Sequence, residues 1–331
     1  MPLFATLIIL EALICQFKGR FRLVDALVTL ANWNLVKIAD FFTSKYLILL
    51  SYTYFYNNYR ALTLPWDSNF VWALTFFLND HNYYWEHRFL HETMIGWSAH
   101  QVHHSSQDFN LTIGIRQSVF QKLFSAPFYI PLALLGIPPS LFMTHTAISA
   151  VHQLWIHTEL IDGVSPLYDF FFNVPKHHQL HHGTNKYCID QNYGGVLIIW
   201  DRIYGTFTEK DENKEEPIAY GLVYGSESYE FSYLQLRYYK FLLEEVRKEK
   251  TLNELLMRIY IYVVKGPSYN PKKPKFRTGD KADYPDGYPK YGLYDPKITM
   301  KNIITGFILV SKAYFVADFY LLRFFSDFCR H

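Results

Sequence analysis

The sequence predicts an all-α fold: a polytopic integral membrane helical bundle that carries a cytosolic, histidine-rich metal-binding cap. Half of the 331 residues are hydrophobic, and apolar segments of helical length recur along the chain. Thirteen of the 14 histidines lie between His81 and His182, a clustering that scattered surface histidines would not produce. The net charge is only +2. Disorder is therefore not expected, and neither is binding to nucleic acid, which usually requires a strongly basic surface.

The first apolar segment covers residues 2–17 and is followed directly by Lys18, Arg20 and Arg22. The positive-inside rule then predicts a membrane helix whose C-terminal flank faces the cytosol. Sixteen residues is marginal for a span, so a buried helix of a soluble protein is the alternative.

Two shorter apolar segments follow at residues 46–56 and 69–79, and the second runs directly into the first histidine motif. Residues 124–137 and 139–157 are separated by a Pro-Pro pair. Proline fits the first turn of a helix but not its interior, so the pair predicts a helical hairpin that enters the bilayer.

The last apolar run, residues 303–325, contains Lys312, Asp318 and Arg323, so it either spans the membrane or lies at its interface. We expect four to six spans in total.

These segments suggest four regions. Residues 1–60 would hold N-terminal membrane helices and a connector, and residues 61–208 the metal-binding core. Residues 209–300 would form a cytosolic extension with loops, because residues 266–296 are rich in Gly, Pro, Lys and Tyr without an apolar period. Residues 301–331 would form a C-terminal apolar helix.

The three cysteines, Cys15, Cys188 and Cys329, lie far apart. Their number and spacing predict neither a disulfide framework nor a thiolate metal site. A chain of this kind fits the reducing cytosolic side of a membrane.

Three histidine boxes carry the strongest chemical signal. Their spacings are HxxxH and, twice, HxxHH, and residues three or four apart share one face of a helix. Imidazole is a ligand that suits zinc, iron and copper, and eight or more imidazoles are too many for one ion but suitable for two. The histidines of the boxes are His87, His91, His100, His103, His104, His178, His181 and His182.

His157 is a further ligand candidate, because it follows the second hairpin helix and would connect the hairpin to the boxes. His177 precedes the third box and is a candidate for supporting the ligands. Asp80 or Glu92 could orient a ligand imidazole by accepting its second N–H. From spacing alone, Glu92 could equally be paired with Arg88 on the helix surface.

The other histidines are set aside. His145 and His152 lie in apolar sequence and are expected to be hydrogen-bonded core residues. His81 falls on a different helical face from His87, and His331 is terminal. The sequence after His91 is not the HExxH motif of metalloproteases, because residue 95 is isoleucine.

Longer stretches around the boxes carry a resemblance to a known family. They are YYWEHR (83–88), HQVHHSS (100–106), QLWIHTE (153–159) and the segment from residue 177 to residue 207. On these residues the chain resembles the fatty acid hydroxylase and sterol desaturase superfamily of histidine-box membrane di-iron enzymes. Within that superfamily it is most similar to the alkylglycerol monooxygenase family.

The resemblance implies a monooxygenase that hydroxylates the carbon next to the ether oxygen of a glycerol ether lipid. The O-alkyl bond then breaks to give a fatty aldehyde and a glycerol derivative. Molecular oxygen, two iron ions and tetrahydrobiopterin are the implied cosubstrate and cofactors. The implied substrate is an alkylglycerol or a lyso-alkylglycerophospholipid. The implied location is the endoplasmic reticulum membrane, where the protein would be multi-pass, contact membrane lipid and face the cytosol with its active site.

The resemblance also assigns the site. It implies that the eight box histidines and His157 are the iron ligands, within a fatty acid hydroxylase-type core at residues 61–208. It implies that Glu92 is a carboxylate required for activity. Pterin-binding residues and the oligomeric state are not assigned. Two alternatives stay open: a sterol or fatty-acid hydroxylase or desaturase of the same superfamily, and a non-catalytic zinc-binding membrane protein.

Overall fold

The structure, a computed structural model, describes residues 2–18, 21–39, 45–209, 217–284 apart from 224, 226 and 227, and 293–312 with gaps. In these ranges the chain is helical and contains no strand, which confirms the predicted all-α class. The α-helices are α1 (Pro2–Phe17), α2 (Leu23–Ala39), α3 (Lys45–Tyr59), α4 (Asn69–Glu92), α5 (Met94–His100), α6 (Gln121–Leu135), α7 (Pro139–Trp155), α8 (Pro166–Phe171), α9 (Pro175–His182), α10 (Ile199–Tyr204), α11 (Phe231–Val246) and α12 (Leu252–Val264).

The helices α1, α3, α4, α6 and α7 fall on the five apolar segments expected up to residue 157. The Pro-Pro pair acts as expected, with Pro139 in the first turn of α7. One residue was not foreseen in this turn. Gly136 ends α6 with a φ of +100°, a left-handed conformation that favours glycine, and its N–H donates to carbonyls of the last turn.

A core of aromatic and aliphatic side chains holds α3, α4, α6 and α7 together. The rings of Tyr52 and Phe142 stack with centroids 4.3 Å apart, and the Tyr52 hydroxyl donates to the carbonyl of Ile137 over 2.9 Å. Burying each such aromatic side chain contributes about 1.5–3 kcal/mol. This packing fixes the N-terminal half of α4, so the C-terminal half carries its histidines on a rigid support.

Three of the longer helices had no clear signal in the sequence. They are α2, which buries Asp25, Thr29 and Asn32, and the pair α11 and α12. The extension after residue 208 is therefore more helical than expected. Over residues 266–284 the expected irregular structure is present, apart from the short 3-10 helix Lys281–Asp283.

No helix within the described residues is both long enough and apolar enough to cross a membrane. The predicted C-terminal apolar helix lies outside the described residues from residue 313 onward, as do residues 210–216 at the start of the predicted cytosolic extension.

Candidate metal centre

The first histidine box lies on the C-terminal half of α4. His87 and His91 are one helical turn apart on the same face, and both are buried. The helix ends at Thr93, whose side chain accepts from the N–H of Gly96 to start α5. A Cβ atom at Gly96 would come within 2.6 Å of the Phe89 carbonyl oxygen. Only glycine therefore allows this close turn between the first and second boxes.

The second box crosses the end of a helix, which the spacing rule did not anticipate. His100 is the last residue of α5, and His103 and His104 belong to a short 3-10 helix, His103–Ser105. The third box lies entirely on α9, and His157 comes just after α7. Four helical elements and the turn after α7 thus bring the nine histidines together.

The nine histidines form two groups, and in each group the ligand nitrogens all lie within 4.8 Å of one another. All nine residues are buried. The five-residue group is His87, His91, His100, His104 and His181, and the four-residue group is His103, His157, His178 and His182. The groups adjoin, because the rings of His104 and His182 stack with centroids 4.1 Å apart.

Hydrogen bonds to backbone carbonyls fix the tautomer of four of the histidine rings. The Nδ1–H groups of His87, His103 and His181 donate to the carbonyls of Tyr193, Arg116 and Gln191 over 2.9, 3.0 and 2.9 Å. His157 does the same to Gln153 over 2.6 Å. A carbonyl can only accept, so each of these neutral rings carries its proton on Nδ1 and presents a lone pair on Nε2.

These lone pairs face each other. The Nε2 atoms of His103 and His157 lie 3.2 Å apart with no proton available for a hydrogen bond between them. Two lone pairs at this distance repel unless a cation lies among them. Among the described residues, the Nε2 atoms of His91, His181 and His182 have no hydrogen-bond partner. The donor set therefore fits a metal ion at each group.

Burial also keeps the rings neutral. It lowers the pKa of His103 to about 4, and it lowers the pKa of His104 and His181 well below the usual value. Near neutral pH each ring can therefore bind a metal without first losing a proton.

Two buried carboxylates support the site through the backbone rather than through imidazoles. Asp201 accepts from the N–H groups of Tyr193 and Gly194, both over 2.7 Å. Asp80 accepts from the N–H groups of Val196 and Leu197 over 2.8 and 2.9 Å. The prediction that Asp80 accepts a ligand imidazole is wrong. It instead holds the loop whose Tyr193 carbonyl orients His87.

Glu92 also makes no contact with a ring nitrogen among the described residues. Its carboxylate pairs with Arg88 over 2.9 Å and with Arg277. The expectation that it accepts a ligand imidazole is therefore wrong, and the Arg88 pairing that the spacing left open is present. Glu92 connects α4 to the segment after α12, because Arg277 also donates to the Glu92 carbonyl over 3.0 Å.

The remaining histidines lie outside both groups. His177 is fully buried against Phe207, and its two ring nitrogens have no partner among the described residues. His81 bonds to Tyr204 over 2.8 Å. His152 bonds to the carbonyl of Asn173 over 2.9 Å, whereas the buried His145 packs against Trp72 and Phe76.

A cavity reaches the two groups and was not foreseen. Four ligand histidines border it: His91, His104, His181 and His182. Its other walls include Trp97, Gln101, Asp190, Arg237, Tyr238, Ser268 and Tyr284. Ser268 and Tyr284 belong to the stretch expected to be an irregular surface extension. Part of that stretch therefore lines the cavity, and its composition had no signal for this role.

The loop that carries Asp190 beside the cavity did have a recognisable sequence pattern. Asp190 and Asn192 have φ angles of +55° and +58°, which non-glycine residues rarely adopt and Asp and Asn tolerate best. The run Asp-Gln-Asn before Tyr193 thus indicates a specially shaped loop. Burial raises the pKa of the Asp190 carboxyl to about 7.

Comparisons with known proteins agree with the chemistry of the site. Residues 72–206 match the family model described as fatty acid hydroxylase. The chain is 38% identical over 323 residues to alkylglycerol monooxygenase of Danio rerio, covering 97% of this chain and 68% of the relative. The alkylglycerol monooxygenase of Xenopus tropicalis is 40% identical over 296 residues, covering 89% of this chain and 64% of the relative.

The alkylglycerol monooxygenase of Homo sapiens is 40% identical over 277 residues, covering 83% of this chain and 60% of the relative. The chain thus spans 60% to 68% of the length of these three relatives. No solved structure matches.

Proposed function

Since the chain belongs to the alkylglycerol monooxygenase family, we propose that it cleaves the O-alkyl bond of glycerol ether lipids with molecular oxygen, two iron ions and tetrahydrobiopterin. The observation that carries the proposal is the pair of buried histidine groups, whose proton-free nitrogens converge. Each group would hold one ion. Imidazole suits iron, although zinc suits such a set as well.

When bound, the iron ions supply the activation of oxygen for insertion into a C–H bond. One oxygen atom enters the C–H bond of the carbon next to the ether oxygen, and the other leaves as water. Tetrahydrobiopterin would supply the two electrons and two protons that the formation of this water requires. The hemiacetal then transfers its hydroxyl proton to the departing glycerol oxygen, and the C–O bond breaks to leave a fatty aldehyde.

The residues of this chain hold the reacting groups in place and exclude water. The carbonyls of Tyr193, Arg116 and Gln191 fix three ligand rings in one orientation, so their Nε2 atoms stay directed inward. All nine ligand residues are buried, which limits competing reactions with solvent.

The substrate would be an alkylglycerol or a lyso-alkylglycerophospholipid, drawn from a multi-pass location in the endoplasmic reticulum membrane with the metal centre facing the cytosol. Exposed apolar side chains on α1 support membrane contact, since Ile9, Leu13 and Phe17 are 59%, 52% and 90% exposed. They precede Lys18, Arg20 and Arg22, the basic flank expected on the cytosolic side.

The test is an aldehyde assay on the purified full-length chain. Iron-loaded protein in detergent is given an alkylglycerol and oxygen, with and without tetrahydrobiopterin, and aldehyde is measured by mass spectrometry. We expect aldehyde only with the pterin. No aldehyde in its presence would overturn the proposal, and hydroxylation of a sterol or fatty acid instead would favour another branch of the superfamily. Full occupancy by zinc after purification from iron-supplemented cells, without activity on reloading, would favour the non-catalytic alternative.

A further inference from the structure

The structure points to a binding site for the reductant. We propose that the cavity above the metal centre binds the reduced pterin, with the Asp190 carboxylate accepting hydrogen bonds from its amino-pyrimidine edge. This inference rests on the proposed function, and it deepens it by assigning cofactor-binding residues that the sequence left open.

The cavity has the right location for an electron donor. His91, His104 and His181 of the five-residue group border it, together with His182 of the four-residue group. A molecule in the cavity would therefore lie directly beside both groups of ligand nitrogens. No polypeptide barrier separates these rings from the space that the molecule would fill.

The Asp190 carboxylate has acceptor capacity to spare. Its side chain is 17% exposed, and the nearest imidazole nitrogen, Nδ1 of His91, is 3.9 Å away, too far for a hydrogen bond. Within the described part of the chain, no group donates a hydrogen bond to this carboxylate, and neither Lys281 nor Arg88 forms an ion pair with it. A largely buried carboxylate that faces a cavity in this way is suited to a ligand with donors.

The chemistry of a pterin matches these walls. Its pyrimidine ring carries an N–H beside an amino group, so two parallel donors face outward. A carboxylate accepts such a pair at both oxygens, as it does with a guanidinium group. Trp97, Tyr238 and Tyr284 add aromatic surface for a flat heterocycle.

The loop that carries Asp190 is built to hold it there. Asp190 and Asn192 adopt left-handed conformations that few non-glycine residues tolerate. The Asn192 amide donates to the carbonyls of His177 and Thr208. Between Asp190 and Asn192, the carbonyl of Gln191 accepts a hydrogen bond from His181. Three successive residues thus present a carboxylate to the cavity, orient a ligand ring and anchor the loop.

A lipid headgroup is the competing occupant of the cavity. Arg237 would attract a phosphate, but the carboxylate of Asp190 would repel it, and a glycerol group offers no flat surface to the aromatic walls. The walls therefore favour the pterin.

The test measures pterin binding directly. Oxidised biopterin is fluorescent, and its anisotropy is titrated with iron-loaded, full-length protein in detergent, with tetrahydrobiopterin as the anaerobic competitor. In Asp190→Asn we expect affinity for biopterin to fall by about tenfold or more, because one acceptor oxygen is replaced by a donor. Asparagine keeps the size of the side chain and tolerates the left-handed backbone, so the loop keeps its shape.

Three further measurements accompany the titration. The KM for tetrahydrobiopterin should rise in Asp190→Asn, while the KM for alkylglycerol and the iron content stay at wild-type values. The matched control is Asp283→Asn, which removes an exposed carboxylate that pairs with Lys273 outside the cavity, and it should bind biopterin like the wild type. A second variant, Ser268→Trp, places a large side chain on another lining residue of the cavity and should abolish biopterin binding with iron retained.

The outcomes separate the two proposals. Wild-type affinity for biopterin in Asp190→Asn and in Ser268→Trp would overturn the inference, and the proposed function would stand. A raised KM for alkylglycerol with unchanged biopterin binding would overturn it in favour of the lipid headgroup. Loss of iron in Asp190→Asn would also overturn it, because the residue would then act through His91. Aldehyde formation by a wild-type protein that binds no biopterin would instead overturn the cofactor of the proposed function.

Discussion

At the scale of single residues, the metal centre depends on backbone carbonyls as much as on histidines. Four ligand rings donate from Nδ1 to a carbonyl, and no described carboxylate accepts from a ligand ring at hydrogen-bond distance. A carbonyl carries no net charge, so it fixes the tautomer without making the imidazole more anionic. An ion bound here would keep most of its positive charge, which suits oxidation of a C–H bond.

Removing one ligand should reduce metal binding and activity together. In His103→Ala we expect the iron content to fall by about half and aldehyde formation to fall at least about 100-fold, because one group loses a nitrogen and its partner His157 loses the shared ion. Metal analysis and the aldehyde assay measure both effects. His81→Ala is the control, since His81 bonds to Tyr204 outside both groups. Full activity in His103→Ala would refute the ligand assignment.

The resemblance implies that Glu92 is required for activity, and two variants distinguish a chemical role of this carboxylate from a structural one. It pairs with Arg88 and Arg277 and does not contact a ligand ring within the described residues. If its role is to hold the segment after α12 over the site, Glu92→Gln and Arg277→Met should lose activity to a similar extent. Each should also lower stability by about 1–3 kcal/mol, as expected when a charged hydrogen bond is lost.

Thermal unfolding in detergent and the aldehyde assay compare the two variants. Lys265→Met is the control, because it removes a neighbouring cation whose ammonium lies over the ring of Tyr269 instead. Inactive Glu92→Gln beside fully active Arg277→Met would contradict the structural role and favour direct participation of the carboxylate.

At the scale of elements, a buried ion pair links α2 to the second histidine box. Arg116 is almost completely buried and pairs with Asp25 over 3.1 Å. It also donates to Thr29 and to Ser105, which belongs to the 3-10 helix of the box. Because the Arg116 carbonyl accepts from His103, this pair positions a ligand ring from a helix that contributes no ligand.

Breaking this pair should destabilise the protein strongly. Arg116→Met leaves the Asp25 carboxylate buried without its cation, so we expect a loss of about 3–5 kcal/mol in unfolding free energy. The double variant Asp25→Leu with Arg116→Met should lose less than the sum of the single losses, because no charge then stays buried without a partner.

Denaturant unfolding in detergent measures these losses. The control is Lys240→Met, whose exposed pair with Glu244 on α11 should contribute less than about 0.5 kcal/mol. Additive losses in the double variant would show that Arg116 and Asp25 do not act as a unit.

At the scale of the whole molecule, the metal centre joins parts of the chain that are distant in sequence. The histidines of the two groups come from α4, from the end of α5, from the 3-10 helix that follows α5, from the turn after α7 and from α9. Bound metal should therefore stabilise the fold as a whole, because unfolding separates these elements and releases the ion.

The pH dependence of stability follows from the same burial. The folded pKa of His103 is lowered to about 4, against about 6.5 in an unfolded chain, and the other rings of the boxes are lowered as well. Between these values the unfolded chain binds more protons than the folded one, so stability is lost as pH falls from about 6.5 toward 4. Buried carboxyl groups act in the opposite direction, because burial raises the pKa of Asp80 and Asp108 to about 6 and that of Asp190 and Asp201 to about 7, but the histidines with a lowered pKa outnumber them.

We therefore expect the unfolding midpoint of metal-free protein to fall steadily between about pH 6.5 and 4.5. Thermal scans in detergent at several pH values measure this trend, and iron-loaded protein should release iron over a similar range. Stability that is constant or increases on acidification would contradict the burial of neutral imidazoles.

Local sequence patterns were sufficient to predict five of the helices, α1, α3, α4, α6 and α7, and to select the histidines. An apolar period reveals a helix, a Pro-Pro pair marks the start of α7, and the spacing of His87 and His91 places them on one face. His157 was found in the same way, from its place just after an apolar helix. Each of these inferences depends on interactions within about one or two helical turns.

The partners of those residues depended on contacts across the fold. The adjacent residues His103 and His104 belong to different groups, and His87 is oriented by a carbonyl 106 residues further along the chain. Asp80 was expected at an imidazole but holds a loop, and Asp190 faces a cavity that is partly lined by a stretch expected to be a surface loop. Sequence periodicity describes one element at a time, whereas a hydrogen bond or a metal site requires two elements to meet. That meeting is decided by the packing of the whole chain.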